Sequence, residues 1–254
     1  MIQLTNLNKT FGQNIAVSNM NMTLTEGKVM GLIGQNGAGK TTTFRMLLNF
    51  IKPTSGTITW NDQQITQNDK QRIGFLPEER GLYQKRTVEE QILYFAELHG
   101  MKRSDARVAL KDWMKRLDVV GKVSDKVQSL SKGNAQKVQM IASLIFEPSL
   151  LILDEPFSGL DPVNTSLMMD EIIRLRDNGA MIIFSSHDMN NVTKISDDLT
   201  MLKRGKIVLQ GPVQNIREQF GRTRVYVESS TSSAALKAID GVASVTPHGV
   251  GYDL

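Results

Sequence analysis

The run "KVMGLIGQNGAGKTT", Lys28 to Thr42, constrains the fold more than any other stretch of the chain. Its first half is a short apolar segment of the kind that forms a buried strand, and its second matches G-x-x-x-x-G-K-[ST] from Gly34 to Thr41. Beyond it, Phe44, Leu47, Leu48 and Ile51 recur at helical spacing. Strand, glycine turn and helix in that order predict an α/β domain built to hold phosphate. The backbone N–H groups of Gly34, Gln35, Asn36, Gly37, Ala38 and Gly39, with the helix N-terminus and Thr42, can wrap phosphate oxygens. Lys40 would reach the β- and γ-phosphates of a nucleotide, and the Thr41 hydroxyl would take one Mg2+ position.

Two later motifs give that nucleotide a chemistry. "SLLILDEP" is an apolar strand ending in acids, as buried parallel strands do. Asp154 can hold Mg2+ through water, and Glu155 can polarise an attacking water. In "SSHDM" a lone imidazole, His187, stands just past another apolar strand. A single histidine there is more often structural, but its place after the other two motifs marks it as a γ-phosphate contact.

The rest of the chain limits the setting. With 254 residues there is room for one large α/β domain and a small appendage. Zero cysteines exclude disulfides and thiolate metal sites and fit a reducing compartment. The N-terminus lacks a basic segment followed by an apolar run, so no secretory signal is expected. No apolar stretch approaches the roughly 18 residues that span a bilayer, so any membrane role must come through a partner. The net charge of +4 is mildly basic, and pairs such as Lys115-Arg116 read as solvated helix faces, so no nucleic acid is expected as a partner.

Residues 2–33 read as several strands, an antiparallel β subdomain leading into the core. "PTSGTITW" is a turn and a strand. A helical subdomain occupies about residues 87–148, broken at "HGMKRS", where Gly100 ends one helix and Ser104 caps the next. A helix follows over 162–177, then the strand "AMIIFSS", a short helix after His187 and a hairpin turning at Gly205. At Gly221 the composition shifts, dividing the chain into 1–220 and a C-terminal α+β appendage, 221–254, that reads as strand, helix, strand, strand. A truncated domain and a small complete one both fit this last segment.

"GQNGAGKTT", "LSKGNAQ", "LILDEP", "SGLD" and "SSHD" stand in the order and spacing of the ATP-binding subunit of ABC transporters, which the chain resembles over residues 2 to about 220. The resemblance implies an ABC-type P-loop NTPase with a RecA-like core, hydrolysing ATP with Mg2+. It implies two such domains, as a homodimer or with a similar ATPase, meeting head to tail so that the phosphate loop of one and the signature loop of the other share each ATP. On this resemblance Phe11 stacks on adenine, with Val17 a candidate beside it, and Asp161 communicates across the dimer. Ser131 and Gly133 belong to the signature loop. Separate membrane-spanning subunits would hold the protein on the cytoplasmic side of the cell membrane. The segment "GFLPEERGLYQKRTVEEQILYFAELHGM" looks like the bacterial export type that includes multidrug, sodium-efflux and polysaccharide ATPases.

Two positions depart from the family pattern. Glu78 stands where the family usually has glutamine; its carboxylate can bind Mg2+ or orient water but adds repulsion near a γ-phosphate. In "LSKGNAQK", Lys132 replaces glycine and Asn134 replaces glutamine. Ser131 keeps the hydroxyl, and Gly133 keeps a position free to approach closely and to take positive φ. Lys132 would clash if its backbone needs positive φ, or would add a cation near the phosphates. The alternative reading is a non-hydrolysing or slow nucleotide sensor. A chromosome-structuring ATPase is excluded, because Lys40 and Ser131 are 131 − 40 = 91 positions apart with no sustained heptads between them.

Overall fold

The computed structural model describes residues 1–66, 68–79, 81–220, 225–229 and 231–254. These fall into two compact units, Met1–Gly211 and Pro212–Leu254. The break comes upstream of the compositional shift at Gly221, so the helix Val213–Phe220 goes with the second unit.

In the first unit, β1 (Ile2–Phe11) and β2 (Asn14–Leu24) form an antiparallel hairpin. The chain continues through β3 (Val29–Ile33), α1 (Lys40–Leu47), β4 (Ser55–Trp60), β5 (Gln63–Gln64) and β6 (Ile73–Leu76). Then come α2 (Val88–Leu98), α3 (Arg103–Arg116), α4 (Lys132–Leu144), β7 (Leu150–Leu153), α5 (Pro162–Asp177), β8 (Met181–Ser186), α6 (Met189–Ile195), β9 (Asp198–Lys203) and β10 (Lys206–Pro212).

Among the described residues the strands make a four-stranded sheet, β2-β1-β4-β5, and a six-stranded sheet, β10-β9-β3-β8-β7-β6. In the larger sheet β6, β7, β8, β3 and β9 run parallel. Every residue of β3, β7 and β8 is buried, which is why these strands read as unbroken apolar runs. One core joins the two sheets around α1: Ile2, Leu7 and Met20 of the hairpin cluster with Phe44 and Leu47 of the helix and with Leu32 and Ile152 beneath it. Because the strands are parallel, their C-terminal ends share one edge. There the loop after β3, Pro77 and Glu78, Asp154 and Glu155, and His187 all leave the sheet, the usual place for a ligand in such a fold.

The helices α2, α3 and α4 form the inserted subdomain. Thr87 starts α2 with a reciprocal cap, its hydroxyl accepting from the Glu90 N–H while the Glu90 carboxylate accepts from the Thr87 N–H. Gly100, at φ 84°, ends that helix in the left-handed conformation that a side chain disfavours. Ser104 does not cap α3: Lys102 holds the cap position, and the Ser104 hydroxyl, inside the first turn, donates to Asp105. Among the described residues no helix is long and apolar enough to cross a membrane.

The second unit contains α7 (Val213–Phe220), β11 (Tyr226–Val227), α8 (Ser233–Lys237), β12 (Thr246–His248) and β13 (Gly251–Asp253), with its strands in the order β11-β13-β12. From Tyr226 onward this is the strand, helix, strand, strand order that the sequence predicts.

Candidate nucleotide site

Gly39 closes the loop after β3 and caps α1 at φ 109°. A Cβ there would lie 2.6 Å from the Ala16 carbonyl oxygen, so the position takes no side chain without moving the β2 backbone. The loop is thereby wedged against the hairpin, with the free N–H groups of α1 at its mouth. Lys40 is buried, and its ammonium donates to the Gly34 carbonyl at 2.7 Å and the Gln35 carbonyl at 3.4 Å. A cleft of about 490 Å³ beside the loop is lined by Gln35, Asn36, Gly37, His187, Lys203 and Arg204, so two further cations flank it.

Asp154 is buried at the end of β7, and both its carboxylate oxygens are engaged. Oδ2 accepts from the Thr41 hydroxyl at 3.1 Å, and Oδ1 accepts from the Ser185 hydroxyl at 2.6 Å. Thr41 and Asp154 thus meet across 113 positions of sequence as a hydroxyl and a carboxylate, hard oxygen donors that suit Mg2+. Mg2+ keeps several waters and uses one or two carboxylates plus phosphate oxygens, so this small set fits it. Among the described residues no cluster of three or more acidic, histidine or cysteine side chains forms a metal cage. Glu78 is exposed just past β6, and no side-chain hydrogen bond joins it to Asp154 or Thr41 among the described residues.

Glu155 follows at φ 49°, a left-handed backbone that costs a non-glycine residue roughly 1–2 kcal/mol. Its N–H donates to Ser185 Oγ at 2.9 Å, and its carboxylate Oε2 lies 2.9 Å from His187 Nδ1. Lys40, Thr41, Asp154, Glu155 and His187 therefore gather at one edge of the parallel sheet.

The remaining expected residues make no side-chain hydrogen bond to this group among the described residues. Phe11 ends β1 with its ring 50% exposed and the Lys9 ammonium 4.9 Å from the ring centroid. Val17 cannot lie beside it as an adenine contact, because its side chain is sealed in the core next to Gly39. Asp161 caps α5, accepting from the Asn164 N–H at 2.8 Å, and that bond, helped by the Asn164 side-chain amide, holds its carboxyl below the usual range.

Ser131 is the N-cap of α4, its hydroxyl accepting from the Asn134 N–H at 3.2 Å, and among the described residues no hydrogen bond takes up its own proton. Lys132 and Gly133 occupy the first turn, and neither takes positive φ. Gly133 therefore does not use its freedom to take positive φ, and the condition under which Lys132 would clash does not arise. Asn134 accepts from the Val120 N–H, tying the loop to the helical subdomain.

Sequence reasoning missed Ser185 and the buried polar side of α4. Gln136 donates to the Pro156 carbonyl, Lys137 to the Asp118 carbonyl, and Gln139 to the Pro77 and Glu79 carbonyls. Polar residues interleaved with Val138 and Ile141 were the available signal, though such a pattern ordinarily marks a solvated face.

The family described as ABC transporter matches residues 17–158. YhaQ of Bacillus subtilis, an uncharacterised ABC transporter ATP-binding protein, is 42% identical over 242 residues, covering 95% of this chain and 81% of its own. The Nod factor export ATP-binding protein I of Burkholderia lata is 32% identical over 224 residues, covering 87% of this chain and 74% of its own. Among solved structures, an ATP-binding subunit of an ABC transporter superposes with a TM-score of 0.81 at 26% identity, covering 87% of this chain and 93% of that one. The dimeric bacterial cassette MJ0796 shares the fold at a TM-score of 0.77 and 22% identity, covering 84% of this chain and 99% of that one. The chain belongs to the ABC transporter family, as an ATP-binding subunit.

Proposed function

We propose that this chain hydrolyses ATP with Mg2+ as a dimer and drives export through separate membrane-spanning subunits. The observation that carries the reading is the convergence of Lys40, the Thr41–Asp154 pair and the Glu155–His187 pair at one sheet edge. Lys40 and the α1 N-terminus bind phosphate, while Thr41 and Asp154 hold Mg2+. When bound, Mg2+ supplies charge neutralisation on the phosphates. Glu155 accepts the proton of the attacking water, and His187, hydrogen-bonded to it, steadies that carboxylate.

Dimer formation is supported by Ser131 and Asp161, whose side chains make only local cap hydrogen bonds among the described residues. Both sit at helix N-termini as caps: the Ser131 hydroxyl can meet ATP held by a second copy, and Asp161 can communicate across the dimer. The dimeric assembly of MJ0796 and the export role named for the Burkholderia relative support closure and direction. An apolar groove of about 400 Å³, lined by Phe50, Phe75, Phe95, Leu98 and Phe146 and including the exposed Phe50 and Leu98, supports docking of a membrane-spanning partner, which would hold the chain at the membrane.

The test is light scattering of Glu155→Gln with ATP and Mg2+. A dimer that forms with ATP and is absent with ADP is expected. A monomer at saturating ATP, with turnover equal to the parent, would overturn the reading.

A further inference from the structure

We propose that Ser185 is a positioning residue for hydrolysis, its one hydroxyl fixing Asp154 and the backbone turn at Glu155 together. The inference rests on the reading above, in which Glu155 acts on water and Asp154 on Mg2+. Ser185 is the fifth residue of β8, and its side chain is 0% exposed. The pairing of β7 with β8 ends at Leu153 and Phe184, so Ser185 stands beside Asp154 at the strand mouth.

An amide N–H can only donate, so the Ser185 oxygen must accept from Glu155. The single hydroxyl proton is then committed to Asp154 Oδ1, at 2.6 Å, and the direction of both bonds is settled. One Asp154 oxygen is thereby held by β8, leaving Oδ2 toward Thr41. The Glu155 backbone is left-handed, and its other side is pinned separately. Ser158 N–H donates to the Glu155 carbonyl at 3.1 Å, and Gln136 donates to the Pro156 carbonyl at 3.2 Å.

Removing the Ser185 oxygen would strand a buried N–H at the strained residue and release an Asp154 oxygen at the same time. The carboxylates of Asp154 and Glu155 would then lose their fixed relation, although each side chain remains. A displacement of about 1 Å is enough to slow a positioned reaction strongly. Phosphate binding by Lys40 and α1 does not pass through Ser185, so nucleotide affinity without metal should be spared.

The experiment compares Ser185→Ala, Ser185→Thr and Glu155→Gln in the full chain. It reads phosphate release, thermal midpoint and calorimetric ADP affinity with and without Mg2+. Ser185→Ala should lower kcat about tenfold or more, ~1.4 kcal/mol of barrier. Its ADP affinity without Mg2+ should stay within about twofold of the parent, while the gain in affinity on adding Mg2+ shrinks. Ser185→Thr, which restores the hydroxyl, should recover most of the rate. The proposal is overturned if Ser185→Ala keeps kcat within about twofold, if metal-free ADP affinity falls by the same factor as kcat, or if Ser185→Thr is no faster than Ser185→Ala. Parent-like turnover in Glu155→Gln would instead overturn the role given to Glu155.

Discussion

The His187 imidazole Nδ1 lies 2.9 Å from Glu155 Oε2, joining residues 32 positions apart in the chain. The two side chains differ sharply in setting: the carboxylate is only 10% exposed and the imidazole 75% exposed. A carboxylate accepts, so Nδ1 carries the proton in this bond and Nε2 is the ring atom left for a ligand. The histidine thus covers a carboxylate whose backbone is already held in place.

If the pair acts as one unit, its substitutions will not add. Glu155→Gln is expected to lower turnover by about 10² or more while ATP binding persists. His187→Ala should lower it by less, and the double variant should be no slower than Glu155→Gln alone. Phosphate-release rates for the four proteins form the cycle. Additive losses would mean that the two residues serve separate steps.

Lys40 tests the phosphate loop. Its ammonium already bends over the loop to the Gly34 and Gln35 carbonyls, so it is placed to exchange those acceptors for phosphate oxygens. A charge-assisted bond of that kind contributes about 1.5–3 kcal/mol, so Lys40→Ala should weaken ATP binding roughly ten- to hundredfold. Calorimetric titration measures this, and undiminished affinity would remove Lys40 from the site.

The loop at Ser131 tests the second copy. Ser131→Arg removes the cap hydroxyl and adds bulk, so it should silence hydrolysis while ADP affinity of the single chain stays near that of the parent. Part of any loss in thermal midpoint is the missing cap, about 1 kcal/mol. Lys132→Gly separates charge from geometry. With Lys132 already helical there is no strained turn for glycine to relieve, so a faster variant is not expected. The glycine variant should need more ATP for half-maximal rate, within about tenfold, and the gap should narrow as salt rises. A salt-independent gap would show that the Lys132 charge does not reach the nucleotide.

Much of this molecule was legible because parallel strands buried on both faces print themselves as apolar runs. β3, β7 and β8 lie where the sequence places them, and α5 spans the 162–177 segment read as helix. Lys40, Asp154, Glu155 and His187 share one edge because parallel strands deliver their C-terminal ends to one side. What escaped depends on contacts between distant segments. Ser185 looks like an ordinary strand-end serine until β7 pairs with β8. The polar face of α4 looks solvated, yet Gln136, Lys137 and Gln139 are buried, their side-chain nitrogens donating to backbone carbonyls of three other segments. Val17 was misjudged because burial at a single residue is set by packing, which spacing alone does not reveal.

The last prediction concerns pH and His99. Its ring stacks on Phe146 with centroids 3.7 Å apart and planes 6° apart, and Nδ1 meets the Gln71 carbonyl at 3.0 Å. Burial pushes its pKa below the ordinary 6.5, and the Gln71 carbonyl only partly opposes that shift. Between the folded value and 6.5 the unfolded chain therefore binds more protons, and stability rises with pH across that window. The contribution is present above about pH 6.5 and is lost as pH falls through the folded value. Thermal midpoints from pH 7.5 to 5.0 should accordingly drop. The slope should be shallower in His99→Phe, which keeps a ring against Phe146 but cannot take a proton. The chain has three histidines, and the other two are common to both proteins, so the difference in slope belongs to His99. Equal slopes would mean that the half-buried ring titrates as it does in the unfolded chain.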